Sequence, residues 1–241
     1  METFSRIVEE IKNRLSFMAD LGCRGFECSK ESLDIVSLWG SGKNMGSDTD
    51  TLEMIQSDLE NCGRCGLASG RRKVVFGSGN PKARIVFVGE GPGGEEDLAG
   101  EPFVGAAGQL LTKIIQAIKL SRESVYICNI VKCRPPNNRA PLPDEIGVCI
   151  PFVKRQISVI QPEFVCALGS VAAQSLLNTS IPISKLRGQF HDYDGIKLLT
   201  TYHPAYLLRN PEKKREVWED MKLLMKACDT TGAGDTGILI S

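Results

Sequence analysis

Short apolar runs alternating with amphipathic stretches from residue 84 onward restrict this chain to one class of architecture. RIVFVGE (84–90) is too short and too uniformly apolar for a surface helix and runs into glycines, so it reads as a buried strand. AAGQLLTKIIQAIK (106–119) reads as an amphipathic helix and VYICNIVKC (125–133) as the next strand. A helix over 143–160 follows, with Ile146, Cys149, Ile150, Val153 and Ile157 on one face. The strand FVCALG (164–169), the helix SVAAQSLL (170–177), the strand KLLTTYH (197–203) and a helix over 212–227 complete the series. Strands joined through helices pair in parallel and are covered on both faces. The expected fold is an α/β protein: a three-layer α/β/α arrangement on a four-stranded parallel sheet, plus an N-terminal helical extension. Functional loops of such a sheet lie beyond the carboxyl ends of its strands. Gly89–Gly94, Asn129–Cys133, Gly169–Ser170 and His203–Pro204 all fall there.

The first 57 residues read differently. Phe4, Ile7, Val8, Ile11, Leu15 and Met18 recur at helical spacing, and GSGKNMGSDTD (40–50) has linker composition. A short helix over 51–60 leads into the first cysteine pair. Twelve acids against six bases put residues 1–61 near −6, and seventeen acids against twenty-three bases put residues 62–241 near +6. A basic body suits a polyanionic partner, although charge alone does not separate that from an ordinary solvated surface. The division expected is an acidic helical extension and linker over 1–57, a folded domain over 58–228 and a loose tail over 229–241. No apolar run approaches the roughly 18 residues of a membrane span, and METFSRIVEEIKNRL has no signal-peptide core. Nine cysteines, an odd number, then imply a reducing cytoplasm and thiols used as ligands rather than in disulfides. A cytoplasmic monomer without membrane contact is expected.

Four of those cysteines have ligand spacing. Cys62 and Cys65 form a C-x-x-C pair, and Cys133 and Cys149 form a second pair around the proline-rich loop RPPNNRAPLP. Zinc and a [4Fe–4S] cluster both accept four cysteines, and spacing leaves the two open. Cys149, Cys128, Cys166 and Cys228 fit equally well as core. A metal would fasten the proline-rich loop, which otherwise needs some other tie. Gly89, Gly91 and Gly94 match a dinucleotide fingerprint formally. The expected helix start at Ala106 and the acids Glu95, Glu96 and Asp97 argue against a phosphate there, as does the lack of an acid closing the second strand.

Taken together, residues 58–228, about 70% of the chain, resemble a family-4 uracil-DNA glycosylase, the iron–sulfur branch found in thermophiles and bacteria. The resemblance rests on GEGPG and the following ED, G-x-PFVG-x-AG-x-LL within 89–111, and NIVKCRPP at 129–136. The cysteine spacing, ALG at 167–169 and HPAYLLRNP at 203–211 complete it. It implies a [4Fe–4S] cluster on Cys62, Cys65, Cys133 and Cys149, uracil-containing DNA as substrate, and hydrolysis of the glycosidic bond to leave an abasic site. Uracil has to leave the stack to be reached. The resemblance makes Phe103 the stacking ring and Asn129 the reader of uracil O4 and N3–H. It makes His203 the donor to O2, where cleavage leaves negative charge. Glu90, Gly91 and Pro92 line the pocket, Glu96 excludes the thymine methyl, Leu207 is the wedge that fills the gap in the stack, and Arg209 contacts phosphate. The bland roles of the same residues are core packing for Phe103 and Leu207 and turn capping for Asn129. His191, in HDYDG, reads as surface.

One departure concerns the water-activating group. Family-1 enzymes carry an Asp where this chain has Gly91; family-4 sequences share that lack, and Glu90 is the remaining candidate base. A family-5 chain would read GLAPG where this one reads GEGPG, and the uracil-capturing branch needs a histidine that 134–143 does not contain. The rival reading is a non-catalytic, metal-stapled DNA-binding module of the same fold.

Overall fold

The computed structural model describes residues 50–232. The helix read over 1–20, most of the linker and the end of the tail lie outside them. Four strands, β2 (Ile85–Gly89), β3 (Tyr126–Asn129), β4 (Phe164–Leu168) and β6 (Ile196–Thr201), run parallel at the centre of one sheet. The sheet has six strands, in the order β1-β3-β2-β4-β6-β5. The two additional strands, β1 (Ser78–Gly79) and β5 (Phe190–Tyr193), are antiparallel edges. They escape a hydrophobicity reading for physical reasons. β1 is two residues long, and β5 (FHDY) is half polar because an edge strand meets solvent. β5 and β6 form a hairpin over Asp194 and Gly195, whose φ angles of +51° and +84° suit a tight primed turn. His191 therefore sits on an edge strand, with Nε2 2.9 Å from the Leu186 carbonyl.

Eight helices are described: α1 (Leu52–Glu60), α2 (Gly94–Ala99), α3 (Ala106–Ala117), α4 (Pro143–Ile160), α5 (Ser170–Leu177), α6 (Ile183–Leu186), α7 (Pro204–Arg209) and α8 (Lys214–Gly232). Side chains alternate along β2, so its two faces feed two separate cores. Val86 and Val88 pack with Val153 and Ile157 of α4 and Ala172 of α5. Ile85 and Phe87 pack with Leu111 and Ile115 of α3 and with Val217 and Met221 of α8. Fully buried side chains such as Phe87 and Ile115 each contribute about 1.5–3 kcal/mol. The three layers follow from that alternation.

Three expectations about the chain's organisation are corrected. The compact unit that holds the described residues begins at Asp48, not at residue 58. α1 packs Ile55 and Leu59 onto Phe76 and Phe152, and Arg155 of α4 pairs with Asp50 and Asp58, both at 2.6 Å. A boundary at 57 would sever that helix. At the other end α8 continues to Gly232, so residues 229–232 are helical rather than loose. Finally, a helix does start in the glycine turn: α2 begins at Gly94. The Glu96 side chain folds back over its start, Oε2 accepting from the N-cap amide Gly93 N at 3.0 Å. Glu95, Glu96 and Asp97 fill its first turn with negative charge, which still excludes a pyrophosphate.

Candidate active site

The chain leaving β2 runs to β3 on one side and the chain leaving β4 runs on towards β6 on the other, so these two connections diverge and open a crevice beyond the carboxyl ends of β2 and β4. Register aligns Gly89 with Asn129 and Leu168 with Thr201, which brings all four expected loops to that edge. A cleft of about 740 Å³ occupies it. Glu90, Gly91, Pro92, Glu96, Phe103, Asn129, His203 and Arg209 all line the cleft.

Gly89, Asn129 and Phe103 form the inner wall. A Cβ at Gly89 would collide with Asn129 Oδ1 and the tip of the Phe103 ring, so only glycine lets both reach the same point. Asn129 is 1% exposed, and its Oδ1 has no hydrogen-bond partner among the described residues. A buried amide oxygen without a partner costs about 1–3 kcal/mol, so turn capping does not account for it. Phe103 is buried, its ring centre 5.6 Å from that of His203. Its φ of +55° lies in the left-handed region.

Both carboxylate oxygens of Glu96 are engaged by backbone amides. Its Oε1 accepts from Val104 N (3.0 Å) and Gly105 N (2.9 Å), while Oε2 accepts from Gly93 N. Both oxygens thus tie the first motif to the Phe103 loop and set the width of the cleft. Asp97, 2% exposed, accepts from Arg72 N at 2.8 Å and holds the 70–73 loop against α2. Glu90 has no such partner among the described residues, and burial raises its carboxyl above the ordinary range. Gly91 packs against β3's extension: a Cβ there would lie 2.7 Å from Val131 Cγ2. An Asp at this position would have to displace Val131.

His203 caps α7, its Nδ1 accepting from Ala205 N at 3.1 Å. The ring proton is therefore on Nε2. Burial, helped by the Arg209 charge and opposed by Glu96, pulls the His203 pKa down to about 4, so the ring is neutral near pH 7. The wedge expectation is corrected. Leu207 is 1% exposed and belongs to the α8-side core, whereas Leu208 is 46% exposed. The cap at His203 sets the helical register, and that register turns Leu207 inward. Arg209 is exposed and lines the cleft. Sequence reasoning missed Arg72, Arg134, Arg139 and Tyr206, which also line the cleft. The two arginines of RPPNNRAPLP were the legible signal.

The four cysteines arrive from three segments: the end of α1 (Cys62, Cys65), the segment after β3 (Cys133) and α4 (Cys149). Burial raises the Cys133 thiol, Arg71 opposes this, and Cys65 and Cys62 press it further upward. Burial pushes Cys149 up to about 11, with Lys132 opposing and Cys133 and Cys65 adding to it. Arg71 donates to Cys133 Sγ at 3.4 Å and Lys132 N to Cys149 Sγ at 3.3 Å. Among the described residues no three His, Cys, Asp or Glu side chains gather round the position of a single ion. The proline-rich loop has a fastener of its own. Glu145 takes both Arg139 nitrogens (2.7 and 2.9 Å) and the Leu142 amide (2.7 Å).

The superfamily profile described as "Uracil DNA glycosylase superfamily" matches residues 76–222. A Type-4 uracil-DNA glycosylase of Thermotoga maritima is 46% identical over 177 residues, 72% of this chain and 92% of that protein. One from Archaeoglobus fulgidus is 42% identical over 187 residues, 74% of this chain and 94% of that protein. A Type-5 uracil-DNA glycosylase of Thermus thermophilus is 30% identical over 120 residues, 44% of this chain and 54% of that protein. With the crevice, the orphaned amide and the histidine-capped helix in one cleft, the chain belongs to the uracil-DNA glycosylase superfamily, in its type-4 branch.

Proposed function

We propose that this protein is a monofunctional uracil-DNA glycosylase, hydrolysing the glycosidic bond of uracil in DNA and leaving an abasic site. The observation that carries the reading is the partnerless Oδ1 of Asn129, buried beside Phe103. Uracil supplies what that atom lacks: its N3–H donates to Oδ1 while the amide nitrogen donates to O4. Phe103 stacks on the extruded base. His203 donates from Nε2 to O2 as negative charge collects on departing uracil, and a neutral ring can do this because its other nitrogen is already engaged. Glu90 takes the water-orienting and charge-stabilising role beside the developing sugar cation. No lysine lines the cleft among the described residues, in keeping with hydrolysis without strand cleavage. Release of uracil from a single-stranded oligonucleotide is the direct test. A folded protein that binds the oligonucleotide and releases nothing would favour the non-catalytic module.

The acid limb of the rate belongs to Glu90. A base must be ionised, and a carboxyl raised by burial protonates above the ordinary 4.5, so the rate should begin to fall above that value as pH drops. His203, neutral down to about 4, adds nothing in that window. Glu90→Gln should lower the rate about a hundredfold and flatten the acid limb. A limb that persists in the variant would remove Glu90 from this role.

Cys62, Cys65, Cys133 and Cys149 would hold the [4Fe–4S] cluster. Four thiols from three segments and two N–H···S donors suit a group larger than a single ion. Its contribution is structural: it ties the end of α1 to the loop after β3, and none of the four cysteines lines the cleft.

Leu208, the exposed leucine of α7, replaces Leu207 as the wedge. Leu208→Ala should slow excision from duplex about tenfold, a part of the few kcal/mol that unstacking one step costs, and spare single strands. Leu207→Ala should instead lower the melting temperature. Equal losses on both substrates in Leu208→Ala would dismiss the wedge.

A further inference from the structure

Arg122 takes no part in that chemistry, yet it holds the residue on which the base would stack. Phe103 has a φ of +55°, a conformation that residues with a Cβ keep only where the surroundings impose it. Arg122 supplies much of that constraint. One of its terminal nitrogens donates to the Phe103 carbonyl at 3.0 Å and the other to the Pro102 carbonyl at 2.9 Å. The first also reaches Thr112 Oγ1, on α3, at 3.3 Å. The guanidinium fork thus spans two successive carbonyls while anchored to a helix. Gly108, on the first turns of α3, completes the seat: a Cβ there would run into the Phe103 carbonyl. With the backbone held in this way, the ring tip reaches Gly89 and the ring lies beside His203. Arg122 also stands just ahead of β3, the strand that ends in Asn129. One side chain therefore links the stacking face to the strand that carries the base-reading amide.

We infer that Arg122 is a positioning residue for base recognition, locking Phe103 in its left-handed conformation so that the stacking wall exists before uracil enters. The inference rests on the glycosylase reading. A lysine at 122 would keep the charge and lose the fork, because an ammonium cannot span two carbonyls with planar, fixed geometry.

Full-length Arg122→Ala, Arg122→Lys and Gly108→Ala proteins would be compared with wild type in four measurements. These are inhibition by free uracil, single-turnover excision from a single-stranded oligonucleotide, affinity for the same oligonucleotide without uracil, and melting temperature. All three variants should raise the inhibition constant of free uracil by at least about tenfold and slow excision about ten- to a hundredfold, with affinity for the uracil-free strand unchanged. Millimolar methylguanidinium should partly restore Arg122→Ala. Should Arg122→Ala not fold, Arg122→Lys decides on the same criteria. An inhibition constant within about twofold of wild type in a folded Arg122 variant, against the expected tenfold, would overturn the inference. So would losses that merely track melting temperature and resist rescue. A wild-type protein that neither releases uracil nor is inhibited by it would instead remove the glycosylase reading on which the inference stands.

Discussion

Asn129→Asp is expected to cut uracil excision about a thousandfold at pH 8, a loss typical of mispairing a buried polar contact at a reacting centre. The substitution changes one NH₂ into one oxygen at a position 1% exposed. The ionised form would turn a carboxylate oxygen toward uracil O4, where the amide donated. Both groups are then acceptors in a site that water cannot relieve. Cytosine presents the reverse pattern, a donor at N4 and an acceptor at N3, so the same wall that suits uracil rejects it. The side chain alone carries both patterns; its amide orientation selects between them. In the wild type, Asn129 Oδ1 and the tip of the Phe103 ring converge on the space that the missing Cβ of Gly89 leaves open. The pH dependence supplies a second check. Burial raises a carboxyl's pKa, and the neutral acid has one acceptor and one donor, as the amide does. Excision by the variant should therefore recover as pH falls through that raised value. The measurement is single-turnover release from a single-stranded oligonucleotide, with melting to confirm the fold. Near-normal excision at pH 8 would show that Asn129 does not read the base.

Replacing Cys133 with Ala is expected to yield colourless, iron-free protein with stability lower by at least about 3 kcal/mol. That is well short of the 10–16 kcal/mol of a structural metal that folds its domain outright, because the two sheet cores remain. The thiols join the turn after α1, the segment after β3 and α4. Near them, Arg71 bonds the Cys62 carbonyl, and the Arg139–Glu145 pair closes only the far end of the proline-rich loop. Absorbance near 400 nm, the approximate region of iron–sulfur centres, and iron content would be compared with Cys228→Ala, which should keep both. Buried thiols have raised pKa values, so taking up the cluster releases protons, and reconstitution should be slower in acid. Unchanged iron in Cys133→Ala or Cys149→Ala would rule out ligation by these four residues.

The four parallel strands, α3, α4 and α5 were legible in the sequence because each is an apolar run of characteristic length and period. A core-facing pattern survives any detail of packing. The cleft's place was legible for a related reason: in a parallel sheet every loop that follows a strand lies at one edge. The edge strands were not legible, since β1 is too short to have a pattern and β5 is half polar. The fate of paired residues was hidden too. Leu207 and Leu208 are identical as letters, and the cap at His203, with the packing of α7 on the sheet, decided which is buried. Glu96 and Glu90 are both acids of one motif. Loop closure committed the first to three backbone amides and left the second desolvated with a raised pKa. Arg122 lay nineteen residues from Phe103 with nothing in the intervening sequence to connect them. Periodicity records which side chains avoid water, and that is set locally. Which polar group meets which partner depends on distances between segments far apart in the chain, and only the folded arrangement determines those.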